Sequence, residues 1–343
     1  MSSIKVKIGK VVIGGGEPIA VQSMLKTDPH NIPSSLRQLR KLERSGCDLL
    51  RMAIPDELSL ETFRYLKQRS SIPLIADIHF HPQLALKAIR AGADKVRINP
   101  GNIPKEGLKE ILRVSKGKGI PLRVGFNSGS LAAKFRNIRP LWKGLLLAAE
   151  DFLNWVSRFD FSDLVFSLKA STIEDTVEAY RDFSQRFPFP LHLGLTEAGP
   201  IPEGVVKSTI ALYSLLKEGI GDTVRISLTS PPEVEVQAAF SLLDSLGLRK
   251  KNLTLISCPT CGRAHSSLYP LIRMVRALEN EAKNPMVVAV MGCEVNGPGE
   301  ASHADFGISL TQKGAAIFKK GKIVKRVSLN EIPQELAKEL KSG

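Results

Sequence analysis

Residues 73–99 read PLIADIHFHPQLALKAIRAGADKVRIN, and this stretch decides the fold. Pro73 stops the preceding segment and starts an extended one. Leu74–Ile78 is a short apolar run whose end carries the polar Asp77 and His79. Leu84–Ala91 then places its apolar residues at the i, i+3, i+4 spacing of an amphipathic helix. Lys95–Asn99 is a second extended run, ending in Arg97 and Asn99. Strand, helix, strand with polar strand ends is the repeating unit of a parallel sheet.

The same unit recurs on both sides of it. Further strand-like runs are Ile19–Ser23, Leu49–Ala53, Leu122–Phe126, Leu164–Leu168, Leu191–Leu195 and Val224–Leu228. Helical stretches between runs include Ser34–Ser45, Leu108–Lys116, Thr172–Phe183 and Val234–Leu246. Eight units over roughly 230 residues is the count and length of a (β/α)8 TIM-type barrel. An open doubly wound sheet competes with it, but Gly14–Gly16 precedes the first strand and no G-x-G-x-x-G follows it.

After the charged stretch Arg249–Asn252 the rhythm changes. A strand at Leu253–Ser257, a helix at Ser267–Lys283, strands at Met286–Met291, Phe306–Leu310 and Ala315–Phe318, and a helix at Glu331–Leu340 describe a smaller α+β domain. The expected division is therefore 1–250 and 251–343.

Composition bounds the function. The 343 residues carry 48 Lys and Arg against 34 Asp and Glu, a net charge of +14. The charge is diffuse; only Lys319–Arg326 (KKGKIVKR) forms a run. With 6% aromatics and no nucleic-acid motif, this points to an anionic small substrate or an acidic partner rather than nucleic acid. No window approaches the ~18 apolar residues of a membrane span, and the first sixteen residues lack a secretory apolar core. Four cysteines, three of them near the C-terminus, read as reduced thiols with a chemical task in a cytoplasm.

The strand ends carry the first functional pattern. A barrel of this kind puts its chemistry at the C-terminal ends of its strands. Those ends hold Gln22 and Ser23, Arg51, Asp77 and His79, Arg97 and Asn99, Arg123 and Asn127, Lys169, Glu197, and Arg225 with Ser227. Four arginines and a lysine around one mouth repel one another unless a polyanion lies between them, and guanidinium forks suit phosphate oxygens. Each taken singly could be a rim ion pair. Asp77 and His79 could form a structural pair, and Glu197 serves as either an ion-pair partner or a proton donor.

The second pattern is CPTC (Cys258, Cys261), 31 residues, Cys293, and NGPGE ending in Glu300. Three thiolates and a carboxylate are an unusual set for structural zinc and suit an iron–sulfur cluster with one exchangeable ligand. Zinc with His265 or His303 as fourth ligand stays open. Cys47 precedes the second strand and reads as core. His30, His81 and His192 read as packing or surface residues, Trp142 and Trp155 as core or interface. Asp222 lies at the wrong end of its strand for catalysis.

Several runs together resemble one family. They are PIAVQSM, PLIADIHF, VRINPGNI, FSLKAS, LGLTEAG, EGIGDTVRISL, SCPTCGR and MGCEVNGPGEASHADFG. In this order they resemble the 4-hydroxy-3-methylbut-2-enyl diphosphate synthases of the non-mevalonate isoprenoid pathway, in their two-domain bacterial form. The resemblance implies reductive opening of 2-C-methyl-D-erythritol 2,4-cyclodiphosphate to (E)-4-hydroxy-3-methylbut-2-enyl diphosphate, with two electrons taken and water lost. It implies a [4Fe–4S] cluster on Cys258, Cys261, Cys293 and Glu300. It places substrate binding on Arg51, Arg97, Asn99, Arg123, Asn127, Lys169, Arg225 and Ser227, and an acid on Glu197. It further implies a homodimer with a shared active site, and flavodoxin or ferredoxin as electron donor. Residues Leu131–Phe159 carry none of these positions. Two other functions compete with this one. The first is a phosphate-binding barrel lyase or aldolase with Lys169 as Schiff-base amine and structural zinc. The second is a non-catalytic iron–sulfur or nucleic-acid-binding protein.

Overall fold

The computed structural model describes residues 3–250, 253–278, 284–295, 297 and 299–342. The chain falls into two units that meet in sequence at Arg249 and Lys250. Lys251 and Asn252 of the expected boundary lie outside the described residues, as do the last residues of the expected helix ending at Lys283.

The first unit opens with a hairpin that the strand count above does not include. Strands β1 (Val6–Ile8) and β2 (Val11–Ile13) pair antiparallel around the turn Gly9-Lys10. Val6, Ile8 and Ile13 pack on Ala20, Leu49, Ile75 and Val165, which lie near the starts of four barrel strands. The hairpin thus closes the N-terminal end of the barrel with apolar side chains.

Eight parallel strands follow: β3 (Ala20–Met24), β4 (Leu49–Ala53), β5 (Leu74–Asp77), β6 (Lys95–Ile98), β7 (Leu122–Asn127), β8 (Leu164–Lys169), β9 (His192–Leu193) and β10 (Thr223–Val224). Their order is β8-β7-β6-β5-β4-β3-β10-β9, and a parallel bridge from Phe166 to Leu191 joins the two ends. The ring is the expected (β/α)8 barrel. Its last two strands are shorter than expected, although Arg225 N–H still donates to Leu193 O at 3.0 Å and extends the ladder.

The helices alternate with the strands: α1 (Ile32–Arg44), α2 (Glu57–Lys67), α3 (Pro82–Arg90), α4 (Lys105–Lys118), α5 (Ala133–Arg136), α6 (Leu141–Val156), α7 (Ile173–Arg186), α8 (Glu203–Lys217) and α9 (Pro232–Ser245). Local chemistry sets their starts. Asn31, Asp56 and Thr172 accept from the first-turn N–H groups of α1, α2 and α7, each such cap contributing about 1 kcal/mol. Buried faces such as Leu39 and Leu42 on α1 or Phe63 and Leu66 on α2 join one continuous core with the outward sides of the strands.

Three aspartates fasten neighbouring strands at the N-terminal end. Each stands just before a strand and reaches the one beside it. Asp48 accepts from Val21 N–H at 2.7 Å, Asp94 from Leu74 N–H at 2.7 Å, and Asp222 from Leu191 N–H at 2.7 Å. Gly46, Gly92 and Gly221 precede them with φ of 78°, 90° and 120°. The chain must reverse there in a conformation that only glycine adopts without strain. Asp222 is therefore structural, as its position in the sequence implied.

The second unit is a five-stranded sheet of β11 (Leu253–Ser257), β12 (Met286–Met291), β13 (Phe306–Thr311), β14 (Gly314–Lys319) and β15 (Lys322–Val327), in that order. The first three run parallel and the last two are antiparallel. Helices α10 (Tyr269–Ala277) and α11 (Ile332–Ser342) bury Leu271, Val275, Ile332 and Leu336 against one face. Ala301 and Ala304 pack on Ala289, Met291 and Phe318 of the other. The basic run Lys319–Arg326 lies largely in the edge strand β15. Lysines along an exposed edge discourage pairing with another chain. Among the described residues no helix is long and apolar enough to cross a membrane.

Candidate active site

Strand register fixes which side chains face the barrel axis. Paired residues of a parallel ladder share a face, and side chains alternate along each strand. Ile75, packed under the hairpin, pairs with Arg51 and Lys95; Asp77 pairs with Arg97, and Arg97 with Arg123. Asn127 pairs with Lys169 in the same manner. Arg51, Arg97, Arg123 and Lys169 therefore converge inside the barrel, toward its C-terminal end, and all are buried.

Their partners are few. Asp77 lies 3.2 Å from Arg97 Nη1 and 3.5 Å from Arg51 Nε. Arg97 Nη1 also meets His79 Nε2 at 2.7 Å, so Arg97 bridges the Asp77–His79 pair. Arg51 turns its Nη2 to the Met24 Sδ at 2.9 Å. Arg123 donates through Nε and Nη2 to the Ser167 hydroxyl at 3.2 and 3.0 Å. Arg225 has Glu235 at 4.0 Å, and that carboxylate already takes Lys26 at 2.8 Å and Leu228 N–H at 2.7 Å. Asn99 donates to Ser130 Oγ at 2.9 Å and accepts from Gly101 N–H at 3.1 Å. Ser227 is half-buried beyond Arg225.

Two glycines make room for this crowd. A Cβ at Gly194 would stand 2.4 Å from Lys169 Nζ and 2.7 Å from Arg225 O. A Cβ at Gly125 would stand 3.1 Å from Arg97 Nε and 3.2 Å from Ser167 Oγ.

The electrostatics are those of an anion site. Burial raises the Asp77 carboxyl, but Arg51, the His79 hydrogen bond and Arg97 outweigh it and hold it well below the usual range. Burial, then Arg123, Arg225, Arg51 and Arg97, push the Lys169 amine well below the ordinary lysine range. Arg123 Nη1, Arg225 Nε, Arg97 Nε and Asn127 Oδ1 are buried and lack a hydrogen-bond partner. Unpaired buried polar groups cost about 1–3 kcal/mol each, more if charged. An anion with several oxygens relieves that cost.

The strand-end pattern misses one cation. Lys95 opens β6, one inward position below Arg97; it is fully buried and its Nζ has no partner. Burial, then Arg123 and Arg51, push its amine well below the ordinary range. Its inward direction was available from the two-residue spacing to Arg97. His192 also faces inward, with Nδ1 at 2.8 Å from Thr223 Oγ1 and Nε2 unpartnered, a packed histidine as expected.

Glu197 differs from the cations. It is exposed, holds the left-handed φ of 55°, and makes no ion pair among the described residues. Thr196 N–H donates to Ala170 O at 3.3 Å, which sets Glu197 beside the end of β8. A non-glycine residue in this region stores about 1–3 kcal/mol.

In the second unit, Cys258 follows β11 and Cys293 follows its parallel neighbour β12. The turn through Cys258 and Cys261 holds Thr260 at φ 63°. Gly292 N–H donates to Cys258 Sγ at 3.2 Å. Cys258, Cys261 and Cys293 line one cavity of about 220 Å³ with Pro259, Ala264 and Gly292. A Cβ at Gly292 would lie 3.0 Å from the Ala264 Cβ and 3.6 Å from Cys258 Sγ, so the wall is close-packed there. Glu300 is exposed and is not part of that lining; Asn296 and Pro298 of its turn lie outside the described residues. Among the described residues no three His, Cys, Asp or Glu side chains converge on a point for a single metal ion. His265 and His303 are exposed and neither lines the cavity. Cys47 is buried, its thiol pushed up to about 12 by burial and then Asp48, as a core residue's is.

Comparison with known proteins decides the family. The family model described as the GcpE TIM-barrel domain matches residues 3–240, and that of the GcpE protein C-terminal domain matches residues 254–342. The chain belongs to the GcpE family. Over 340 residues it is 46% identical to the 4-hydroxy-3-methylbut-2-en-1-yl diphosphate synthase (flavodoxin) of Thermodesulfovibrio yellowstonii, covering 98% of this chain and 97% of that one. The proteins of the same name from Caldanaerobacter subterraneus subsp. tengcongensis and Bacillus subtilis are 45% and 43% identical. They cover 98% of this chain each, and 96% and 90% of their own. Among solved structures, the dihydropteroate synthase of Yersinia pestis superposes with a TM-score of 0.52 at 13% identity, over 72% of this chain and 100% of its own. That of Stenotrophomonas maltophilia gives 0.53 at 15%, over 71% and 99%. At such identity the likeness concerns the barrel fold alone. Membership of the GcpE family disfavours the aldolase and the non-catalytic alternatives.

Proposed function

We propose that the chain reductively opens 2-C-methyl-D-erythritol 2,4-cyclodiphosphate to (E)-4-hydroxy-3-methylbut-2-enyl diphosphate, consuming two electrons and two protons and releasing one water. The observation that carries this is the crowd of Arg51, Arg97, Arg123, Lys169 and Arg225 around Asp77 and Glu235, with buried N–H groups left unpaired. A cyclic diphosphate supplies the missing oxygens. Arg123 and Arg97 grip it as forks, Lys169 acts as a point charge, and Asn99, Asn127 and Ser227 fix its orientation through neutral hydrogen bonds. Charge placed in advance around the phosphates also stabilises the leaving ring oxygen as the C–O bond breaks.

Cys258, Cys261 and Cys293 are the thiolates that would hold a [4Fe–4S] cluster, with Glu300 as the exchangeable fourth ligand. The three thiols on one cavity support this. When bound, the cluster supplies the electrons and a Lewis-acidic iron. Glu197 supplies a proton to the departing hydroxyl; its exposure, its strained backbone and its lack of an ion pair support that role. The barrel unit binds the diphosphate and the second unit carries the cluster. Flavodoxin or ferredoxin delivers the electrons, the former appearing in the printed names of the relatives. The working enzyme is a homodimer with its active site shared between subunits, and it is cytoplasmic, where reduced thiols persist. No nucleic acid or membrane is involved.

Anaerobic reconstitution with iron and sulfide, then assay with the cyclic diphosphate and reduced flavodoxin, tests the proposal. About four irons per chain and formation of the alkenyl diphosphate are expected. A colourless protein with one zinc, or a reconstituted protein that leaves the cyclic diphosphate intact, would end it.

A further inference from the structure

A second cavity opens beside the barrel mouth; of the residues given roles above, Asn99 alone lines it. It has a volume of about 130 Å³ and lies between the turn after β6, helix α4 and the segment 131–155. Leu108, Phe126, Leu131, Phe135, Phe152 and Trp155 form its apolar wall. An apolar cavity of 150 Å³ admits benzene and stays free of water. This one therefore has room for a hydrocarbon of about five carbons.

Its rim carries two lysines and one carboxylate, Asp151, with Glu106 in the first turn of α4 nearby. Lys105 lines it and makes no ion pair among the described residues. Lys134 lines it too, tied to Asp151 at 3.2 Å in a pair exposed on both sides, which an anion readily displaces. Helix α4 begins at Lys105 with Pro104 as its cap, and no side chain satisfies its first-turn N–H groups. The positive end of a 14-residue helix thus adjoins the rim. Finally, Ser130 forms part of the wall and also accepts the Asn99 hydrogen bond at 2.9 Å.

We propose that this cavity binds a short branched alkenyl diphosphate, its hydrocarbon chain against the apolar wall of Leu108, Phe135 and Trp155 and its diphosphate on Lys105 and the start of α4. The inference rests on the function proposed above, whose product is itself a five-carbon alkenyl diphosphate. An occupant that shifts Ser130 removes one of the two hydrogen bonds that orient Asn99, so the site reports the level of such products to the mouth. Inhibition by them is then mixed toward the cyclic diphosphate rather than purely competitive.

The probe is isopentenyl diphosphate, titrated calorimetrically into the full-length reconstituted protein at saturating cyclic diphosphate under non-reducing conditions. One site per chain is expected, with inorganic diphosphate binding at least tenfold more weakly. Ala148 of α6 also lines the cavity, and Ala148→Leu, which fills it, weakens the probe at least tenfold and leaves uninhibited turnover within twofold. Lys105→Glu, an exposed position whose substitution does not threaten folding, weakens it about tenfold. Loss of the probe's binding whenever the mouth is saturated would overturn the proposal, as would unchanged affinity in Lys105→Glu. A protein that binds the probe in this pattern yet never turns over the cyclic diphosphate would refute the proposed reaction and leave the cavity assignment standing.

Discussion

Arg123 gives two of its N–H groups to the single hydroxyl of Ser167 and leaves Nη1 buried without a partner. Ser167 therefore aims the guanidinium while the unspent donor waits for an acceptor. Arg123→Lys keeps the charge but loses the fork. It should raise KM for the cyclic diphosphate about 10–100-fold, the equivalent of roughly 1.5–3 kcal/mol for a hydrogen bond to a charged group. Ser167→Ala should raise it less, about fivefold. Steady-state kinetics on the reconstituted enzyme check both, and equal effects would mean that Ser167 does not act through Arg123.

Asp77 is the carboxylate that holds this crowd together. Asp77→Asn leaves Arg51 and Arg97 without their shared counter-charge and should cost about 3–5 kcal/mol of stability at pH 7. The folded carboxyl titrates below its unfolded value of about 3.9. Its contribution is thus fully present above pH ~4 and fades as the pH falls through the folded value. Urea unfolding of the wild type and the variant should differ at pH 7 and draw together below pH 4. A constant difference would place the effect in packing.

Lys95 works in the opposite sense. Its amine is lowered by burial while the unfolded chain binds a proton up to about pH 10.4. The native state is penalised wherever the unfolded state is charged and the folded one is not. Lys95→Met should therefore stabilise the protein by about 1–4 kcal/mol at pH 7. The gain in melting temperature should shrink toward pH 10. A variant less stable than wild type at neutral pH would show that Lys95 has a partner in solution.

Gly194 and Lys169 cannot both stay where they are if a methyl group is added. Gly194→Ala should cost about 1–3 kcal/mol of overpacking and displace Lys169, raising KM about tenfold. Thermal melts and kinetics read the two effects separately. Unchanged KM would detach Lys169 from substrate binding.

The four cysteines should separate by chemistry. Cys293→Ser or Cys258→Ser should abolish iron retention after reconstitution. Cys47→Ser should keep it, since that thiol is buried and donates to Leu49 O at 3.1 Å. Iron analysis decides. A brown, iron-loaded Cys293→Ser protein would remove the thiolate from the ligand set.

The barrel was legible because its strands combine proline starts, short apolar runs and polar ends, a pattern that needs no tertiary information. Three strands escaped, for two different reasons. The β1–β2 hairpin is only three residues a side, although the Gly9-Lys10 turn marks it. Strand β15 carries Lys322, Lys325 and Arg326, so its charge hid its extended backbone. The mouth cations were legible by position, whereas Lys95 needed the parity of β6 to be followed one step down. The exposure of Glu197 and its missing ion pair could not be read from residues, because they depend on how the loop after β9 turns.

The barrel's two rims have opposite duties. Asp48, Asp94 and Asp222 act as seams between adjacent staves at one end, far along the strands from the arginines at the other. Robustness and reactivity are thus written into separate rows of the same ring. An engineer could redraw the upper row to suit another polyanion, and the lower row would still hold the cask shut.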